Sequence, residues 1–197
     1  MRNYSKEVTG TYKMYQSLPR NYSQEKRLQQ LHTLKDSEVK VGIYKYSTEE
    51  ELGKGYSSRV YKGVEIERIH KRYAIKVIEL KKFRGSSLEM LEAEIEIHRQ
   101  LVHENVLRLY EVIKTPYFYY LVLEYCPHGS LHDYIKQKKK LSLKQTIEIM
   151  EQIINGYKYL ADVGVIHRDL KPANVLRIGT PVSTQATSGK SRISGLQ

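Results

Sequence analysis

The sequence predicts an α+β fold in which a strand-rich half precedes a helix-rich half. Three observations carry this expectation. Residues 44–176 alternate strand-like and helix-like patterns at globular density, whereas the flanking segments do not. Short β-branched and aromatic runs crowd the first part of that segment. Two capping signatures, Ser86 with Glu89 and Ser142 with Gln145, each open a longer apolar-periodic stretch. The expected organisation is a polar extension over 1–43, a folded core over 44–176 and a tail over 177–197. Ten of the 21 tail residues are Ser, Thr or Gly and none is Asp or Glu, which predicts disorder.

Taken in order, the extension is weakly periodic, with a short helix expected around Gln24–Thr33, where Leu28 and Leu31 are its apolar anchors. A glycine-rich strand–turn–strand follows over Leu52–Val60. Val60–Val64 and Tyr73–Ile78 read as strands because they are short, apolar and β-branched or aromatic. The first capping signature opens a helix through about Leu101, and Val106–Ile113 and Tyr117–Tyr125 read as two further strands. Within the latter, Tyr117–Tyr120 reads as strand core and edge. The run Lys136–Lys140 reads as a solvated loop, with docking to an acidic partner as the alternative. The second capping signature opens a helix over about 142–161. Leu143, Ile147, Met150, Ile154 and Tyr157 make one stripe along it, which Ile149, Ile153 and Leu160 widen. Such a helix expects partners on more than one side.

Composition excludes several classes. No apolar stretch approaches the length of a membrane span, and no apolar run follows the N-terminal Met1–Ser5 as a secretory signal would require. The single cysteine, Cys126, allows neither an internal disulfide nor a thiolate zinc site, which favours a reducing intracellular, cytoplasmic setting. The formal charge of +11 is spread along the chain instead of being concentrated on one element, so nucleic acid is not an expected partner. Seventeen Tyr against two Phe and no Trp makes Tyr the core aromatic.

The chemistry-bearing residues fall into three groups. Gly53 and Gly55 lie between two strands, where the missing Cβ lets backbone amides approach phosphate oxygens. Taken alone, two glycines beside a strand make a plain hairpin more often than a nucleotide clamp. Lys76 ends Tyr-Ala-Ile-Lys in an apolar strand and needs either a counter-ion or an exposed edge. Glu94, on the first helix, is the candidate counter-ion. Finally, Ile166–Leu176 reads Ile-His-Arg-Asp-Leu-Lys-Pro-Ala-Asn-Val-Leu, with Asp169 and Asn174 five positions apart.

That last run resembles the catalytic loop H-R-D-x-x-x-x-N of eukaryotic-type protein kinases, and it follows a Gly-rich loop and a strand lysine in kinase order. The resemblance covers about Tyr44 to Leu176. It implies a two-lobe fold, with a complete N-lobe of a five-stranded antiparallel sheet plus one helix, and a partial helical C-lobe. It implies an ATP- and magnesium-dependent enzyme that transfers the γ-phosphoryl group to a protein Ser or Thr hydroxyl. On this resemblance Leu52, Gly53, Gly55 and Val60 cover ATP, and Ala74 and Leu176 sandwich the adenine. Lys76 holds the α- and β-phosphates and Glu94 orients it. Leu123 is the gatekeeper, and Glu124 to Cys126 form the hinge that reads the adenine edge. Asp169 is the catalytic base, Lys171 contacts the γ-phosphate as in serine/threonine kinases, and Asn174 is a magnesium ligand. Glu94–Leu101 is similar to the Aurora, Polo and calcium/calmodulin-kinase-like groups, and Tyr125–Leu131 to the Unc-51-like group. Two departures stand out. Ser58 replaces the third loop glycine, and nothing after Leu176 resembles D-F-G. The resemblance thus ends after the catalytic loop, which implies a serine/threonine protein kinase lacking the D-F-G segment and the rest of the C-lobe, or alternatively a catalytically impaired kinase-derived fragment that acts as a binding or regulatory module. Expected partners are ATP, a protein substrate and a protein covering the exposed sides of helix 142–161, without membrane or nucleic acid.

Overall fold

The computed structural model describes residues 37–179 and 191–193; the helix expected around Gln24–Thr33 lies outside them. The chain divides into two compact units. One holds the described residues up to Lys82 together with Glu111–Val122, and the other holds Phe83–Tyr110 and the chain from Leu123 onward.

The first unit is a sheet with strand order β1-β2-β3-β4-β6-β5, formed by β1 (Glu38–Val41), β2 (Tyr44–Lys54), β3 (Ser58–Glu65), β4 (Arg72–Glu79), β5 (Leu109–Lys114) and β6 (Phe118–Glu124). Five strands were expected and six are found. The additional one, β1, comes from the segment read as a polar extension. It pairs antiparallel with β2 from Glu38↔Ser47 to Val41↔Tyr44 around the tight turn at Gly42, whose φ is +57°. Its Val39 and Val41 alternate with charged Glu38 and Lys40, a period-2 pattern that four residues are too short to announce.

Tyrosine does build the core of this unit. Val41, Tyr44, Tyr46, Tyr61, Tyr73, Ile75 and Val122 form one buried cluster, with Tyr120 packed against it. Tyr44 meets Tyr73 edge-on at 5.1 Å and Tyr46 stacks on Tyr61 at 4.9 Å, geometries that suit the ring quadrupole. Desolvation pushes the Tyr120 phenol up to about 12, and burial also raises Tyr46 well above its ordinary value. A phenol raised in the folded state contributes stability that is fully present below its unfolded value near 10 and is lost as pH climbs towards the folded value. The melting temperature is therefore expected to fall between pH 10 and 12, with less of a fall in Tyr120→Phe. Thermal melts of both proteins across that range check it.

The second unit is helical. It contains α1 (Ser86–Gln100), α2 (Leu131–Lys138), α3 (Leu143–Asp162) and a two-stranded ladder of β7 (Val175–Arg177) and β8 (Ser191–Ile193). The capping box at Ser142 forms in full: its side chain accepts from Gln145 N while the Gln145 side chain accepts from Ser142 N. The one expected at Ser86 does not form. Gly85 caps α1 without a side-chain bond, because the chain enters with Gly85 at φ +51° and Ser87, not Ser86, bonds back to Arg84. The loop read at Lys136–Lys140 is partly helix. Lys136 and Lys138 occupy the last turn of α2, where cations offset the exposed carbonyls, and Ser130 caps its start by accepting from Asp133 N.

The tail also departs from expectation. Ser191–Ile193 pairs with β7 in the register Val175↔Ile193 and Arg177↔Ser191. Ile193 N donates to Asn105 O at 2.9 Å, and Leu107 N donates to Ile193 O at 2.8 Å. Its side chain is buried with Leu131, Tyr134, Ile153 and Val175. A three-residue strand is too short to show a periodicity, so composition alone pointed to disorder there. On α3 the expected stripe splits. Ile153, Gly156 and Leu160 are buried, whereas Leu143, Ile147, Met150, Ile154 and Tyr157 are all 43% exposed or more.

Candidate active site

In the first unit, β-pairing decides which side chains share a face. Ladder partners lie on the same side of a sheet. The pairs Gly53↔Val60, Val60↔Lys76 and Lys62↔Ala74 therefore bring Gly53, Val60, Ala74 and Lys76 onto one face. The neighbouring pair Tyr61↔Ile75 points into the tyrosine core on the other face. Leu52 is the extra residue of a β-bulge. Glu51 pairs with Tyr61 and Gly53 with Val60, so two steps on β2 oppose one on β3. The bulge leaves Leu52 exposed. A Cβ on Gly53 would meet nothing within 4 Å, so the protein's own packing does not explain a glycine there. The space is open to an approaching group. The turn closes through Gly55 N donating to Ser58 O at 2.8 Å, and Glu79 N donates to Ser57 O at 3.1 Å.

In the second unit, α3 ends at Asp162 and the chain leaves it through Gly164, whose φ is +76°, with Val165 N donating to Leu160 O. His167 follows, fully buried. Asp169 N donates to His167 O at 2.8 Å and to His167 Nδ1 at 3.3 Å, which ties the aspartate's backbone to a fixed imidazole. Arg168 between them sits at φ +62°, a left-handed conformation that costs a non-glycine residue roughly 1–2 kcal/mol. Backbone strain of this kind persists where the surroundings over-determine it. The buried imidazole is the anchor that does so here.

Three predicted side chains converge on this turn. Asn174 Nδ2 donates to Asp169 O at 2.8 Å and to Asp169 Oδ2 at 3.0 Å, and Lys171 Nζ lies 2.8 Å from Asp169 Oδ2. The one-turn 3₁₀ helix Pro172–Asn174 makes this possible, because it folds Asn174 back so that its N–H donates to Lys171 O. The Lys171 ammonium, followed by the Asn174 amide, holds the Asp169 carboxyl below its ordinary value, so it is an anion at neutral pH. Among the described residues no three His, Cys, Asp or Glu side chains group around a metal position. Asp169 and Asn174 are hard oxygen donors of the kind magnesium takes, and magnesium ordinarily completes its shell with substrate phosphates.

The other predicted residues of this unit lie as follows. Leu176 follows Asn174 on β7 and bridges Ser130. Leu123 is buried, and Glu124 N donates to Arg108 O at 2.9 Å. Cys126, two residues on, is half-buried. Glu94 is half-buried on α1, next to buried Ile95. Sequence reasoning missed the left-handed Arg168 and the whole of α2. The signal for α2 was present: Ser130 with Asp133 is a cap pair, and Leu131 and Tyr134 are one turn apart.

Comparison with known proteins now bears on these two groups of residues. The protein kinase domain profile matches residues 46–181. The serine/threonine-protein kinase atg1 of Dictyostelium discoideum is 37% identical over 137 residues, covering 66% of this chain and 20% of that protein. The maternal embryonic leucine zipper kinase of Danio rerio is 42% identical over 131 residues, covering 66% of this chain and 19% of that protein. The chain thus spans about a fifth of the length of these relatives. Among solved structures, Rad53 1–466 in complex with AMP-PNP superposes with a TM-score of 0.68 at 25% identity, covering 89% of this chain and 43% of that one.

Proposed function

Because the chain belongs to the protein kinase domain family and has that family's α+β fold, we propose that it is the ATP-using part of a serine/threonine protein kinase. The observation that carries this reading is the Asp169–Lys171–Asn174 cluster held on a strained, histidine-anchored turn. In this reading Gly53, Gly55 and Val60 lie over the nucleotide and Lys76 neutralises its α- and β-phosphates. Glu94 orients Lys76. Ala74 and Leu176 enclose the adenine, whose edge the backbone from Glu124 to Cys126 reads beside Leu123.

Asp169 accepts a hydrogen bond from the attacking Ser or Thr hydroxyl. A carboxylate held below its ordinary value is a weak proton acceptor, so its first task is to aim the oxygen; it takes the proton late, as the hydroxyl oxygen bonds to the γ-phosphorus and the bond to the departing ADP oxygen breaks. Lys171 stands beside it to meet the charge on the transferring group. Asn174 is the residue that would hold a magnesium ion, which when bound would neutralise phosphate charge.

One observation favours a second reading. Residues 177–197 contain no Asp or Glu, so that segment offers no second carboxylate for a metal. The alternative is a module that holds nucleotide and partners with little turnover. Incubating the 197-residue chain with ATP labelled in its γ-phosphate, magnesium and a mixture of Ser-, Thr- and Tyr-containing peptides separates the two. The first reading predicts label on Ser and Thr that disappears in Lys76→Met. Thermal stabilisation by ATP without label on any peptide would favour the second.

A further inference from the structure

We propose that Lys82 is a positioning residue that clamps the tip of the Gly-rich turn to the end of β4, and so sets how well the turn receives nucleotide phosphates. The inference rests on the reading of that turn as part of an ATP site.

The turn between β2 and β3 has few restraints of its own. Its glycines carry no side chains, and the side chain at its tip, Tyr56, is 91% exposed. Exposed aromatic residues on a hairpin tip normally sample many rotamers, and the entropy lost in ordering them opposes binding. Here two contacts from one side chain oppose that freedom. Lys82 Nζ donates to Tyr56 O at 2.5 Å, and the same ammonium sits 5.2 Å from the centre of the Tyr56 ring. A cation over the ring face and a charge-assisted bond to the same residue's carbonyl hold main chain and side chain together.

Lys82 is itself held. It ends the 3₁₀ turn Leu80–Lys82 that follows β4, and Leu80 N at the start of that turn donates to Tyr117 O. Its ammonium lies 3.8 Å from Glu79 Oε2. Glu79 N donates to Ser57 O, so the clamp and the backbone tie act on neighbouring residues of the turn. Lys76 sits on the same strand, three residues before Glu79. The clamp therefore fixes the turn relative to the strand that carries the phosphate-binding lysine. Lys82 has no place in the chemistry; it acts through Tyr56.

The test uses the full 197-residue chain and two readouts. Amide hydrogen exchange over Lys54–Ser58 without nucleotide reports the clamp itself. Titration with a fluorescent ATP analogue reports its consequence. Lys82→Ala is expected to speed exchange in the turn alone, leave the melting temperature unchanged and weaken nucleotide binding about three- to tenfold, the discounted effect of one solvent-exposed charged hydrogen bond. Lys82→Arg, which keeps both the cation and the donor, is expected to restore both readouts. Unchanged exchange in Lys82→Ala overturns the clamp. Faster exchange with unaltered nucleotide affinity overturns its role in positioning. If the unmodified chain binds no nucleotide at all, the proposed function fails, and the exchange result still decides whether the clamp exists.

Discussion

Asp169→Asn is expected to reduce phosphoryl transfer by at least about 10²-fold, without a fall in melting temperature. General-base and aiming groups typically contribute about 10²–10⁴-fold. The substitution keeps the shape but removes the anion that Lys171 and Asn174 hold in place. Asp169 is one-third exposed at its side chain, so neutralising it leaves no buried charge behind. The readout is the transfer rate at saturating ATP next to a thermal melt. A variant that retains full transfer would remove Asp169 from the chemistry, whereas one that merely unfolds would assign it a structural role.

The second large effect concerns packing on the buried side of α3. Gly156 lies on the buried side of α3, and a Cβ there would sit 2.7 Å from Asn105 O and 3.0 Å from Ile193 Cδ1. The first of these is backbone, which cannot swing aside. Gly156→Ala is expected to cost about 1–3 kcal/mol through overpacking, despite alanine's better helix propensity. Ile193→Ala, which opens a cavity against Leu131, Tyr134, Ile153 and Val175, is expected to cost about 2–5 kcal/mol. Denaturant melts of both variants measure these effects. An unaltered midpoint for Ile193→Ala would mean that Ser191–Ile193 does not belong to the folded unit.

These two variants mark where the sequence was legible and where it was not. Signals that repeat were readable. The apolar strands β3, β4 and β6 stand out by composition, and the capping box at Ser142 forms as its residue types predict. The turn at Asp169–Asn174 stood out because its motif is compact: Asp169, Lys171 and Asn174 meet within six positions. Part of what sequence reasoning missed depends on partners distant in the chain. The strand at Ile193 exists because Asn105 and Leu107 satisfy its backbone from some 86 residues upstream. The glycine at 156 is explained only by the carbonyl that crosses it. The false capping box at Ser86 shows the converse: a matching pair of residue types fails where Gly85 turns the backbone away. The stripe along α3 was found by periodicity, but periodicity could not say which part of it would be covered.

Nucleotide binding at this sheet face is tested most directly by calorimetric titration of ATP, in the presence of magnesium, into the 197-residue chain and into Lys76→Met. Lys76 shares a sheet face with Gly53, Val60 and Ala74, and its ammonium is the charge that this face supplies to the phosphates in the proposed function. Saturable binding that falls at least about tenfold in Lys76→Met, with the melting temperature unchanged, is the predicted result. Heats indistinguishable from dilution in the unmodified chain, or equal affinity in both proteins, would contradict it.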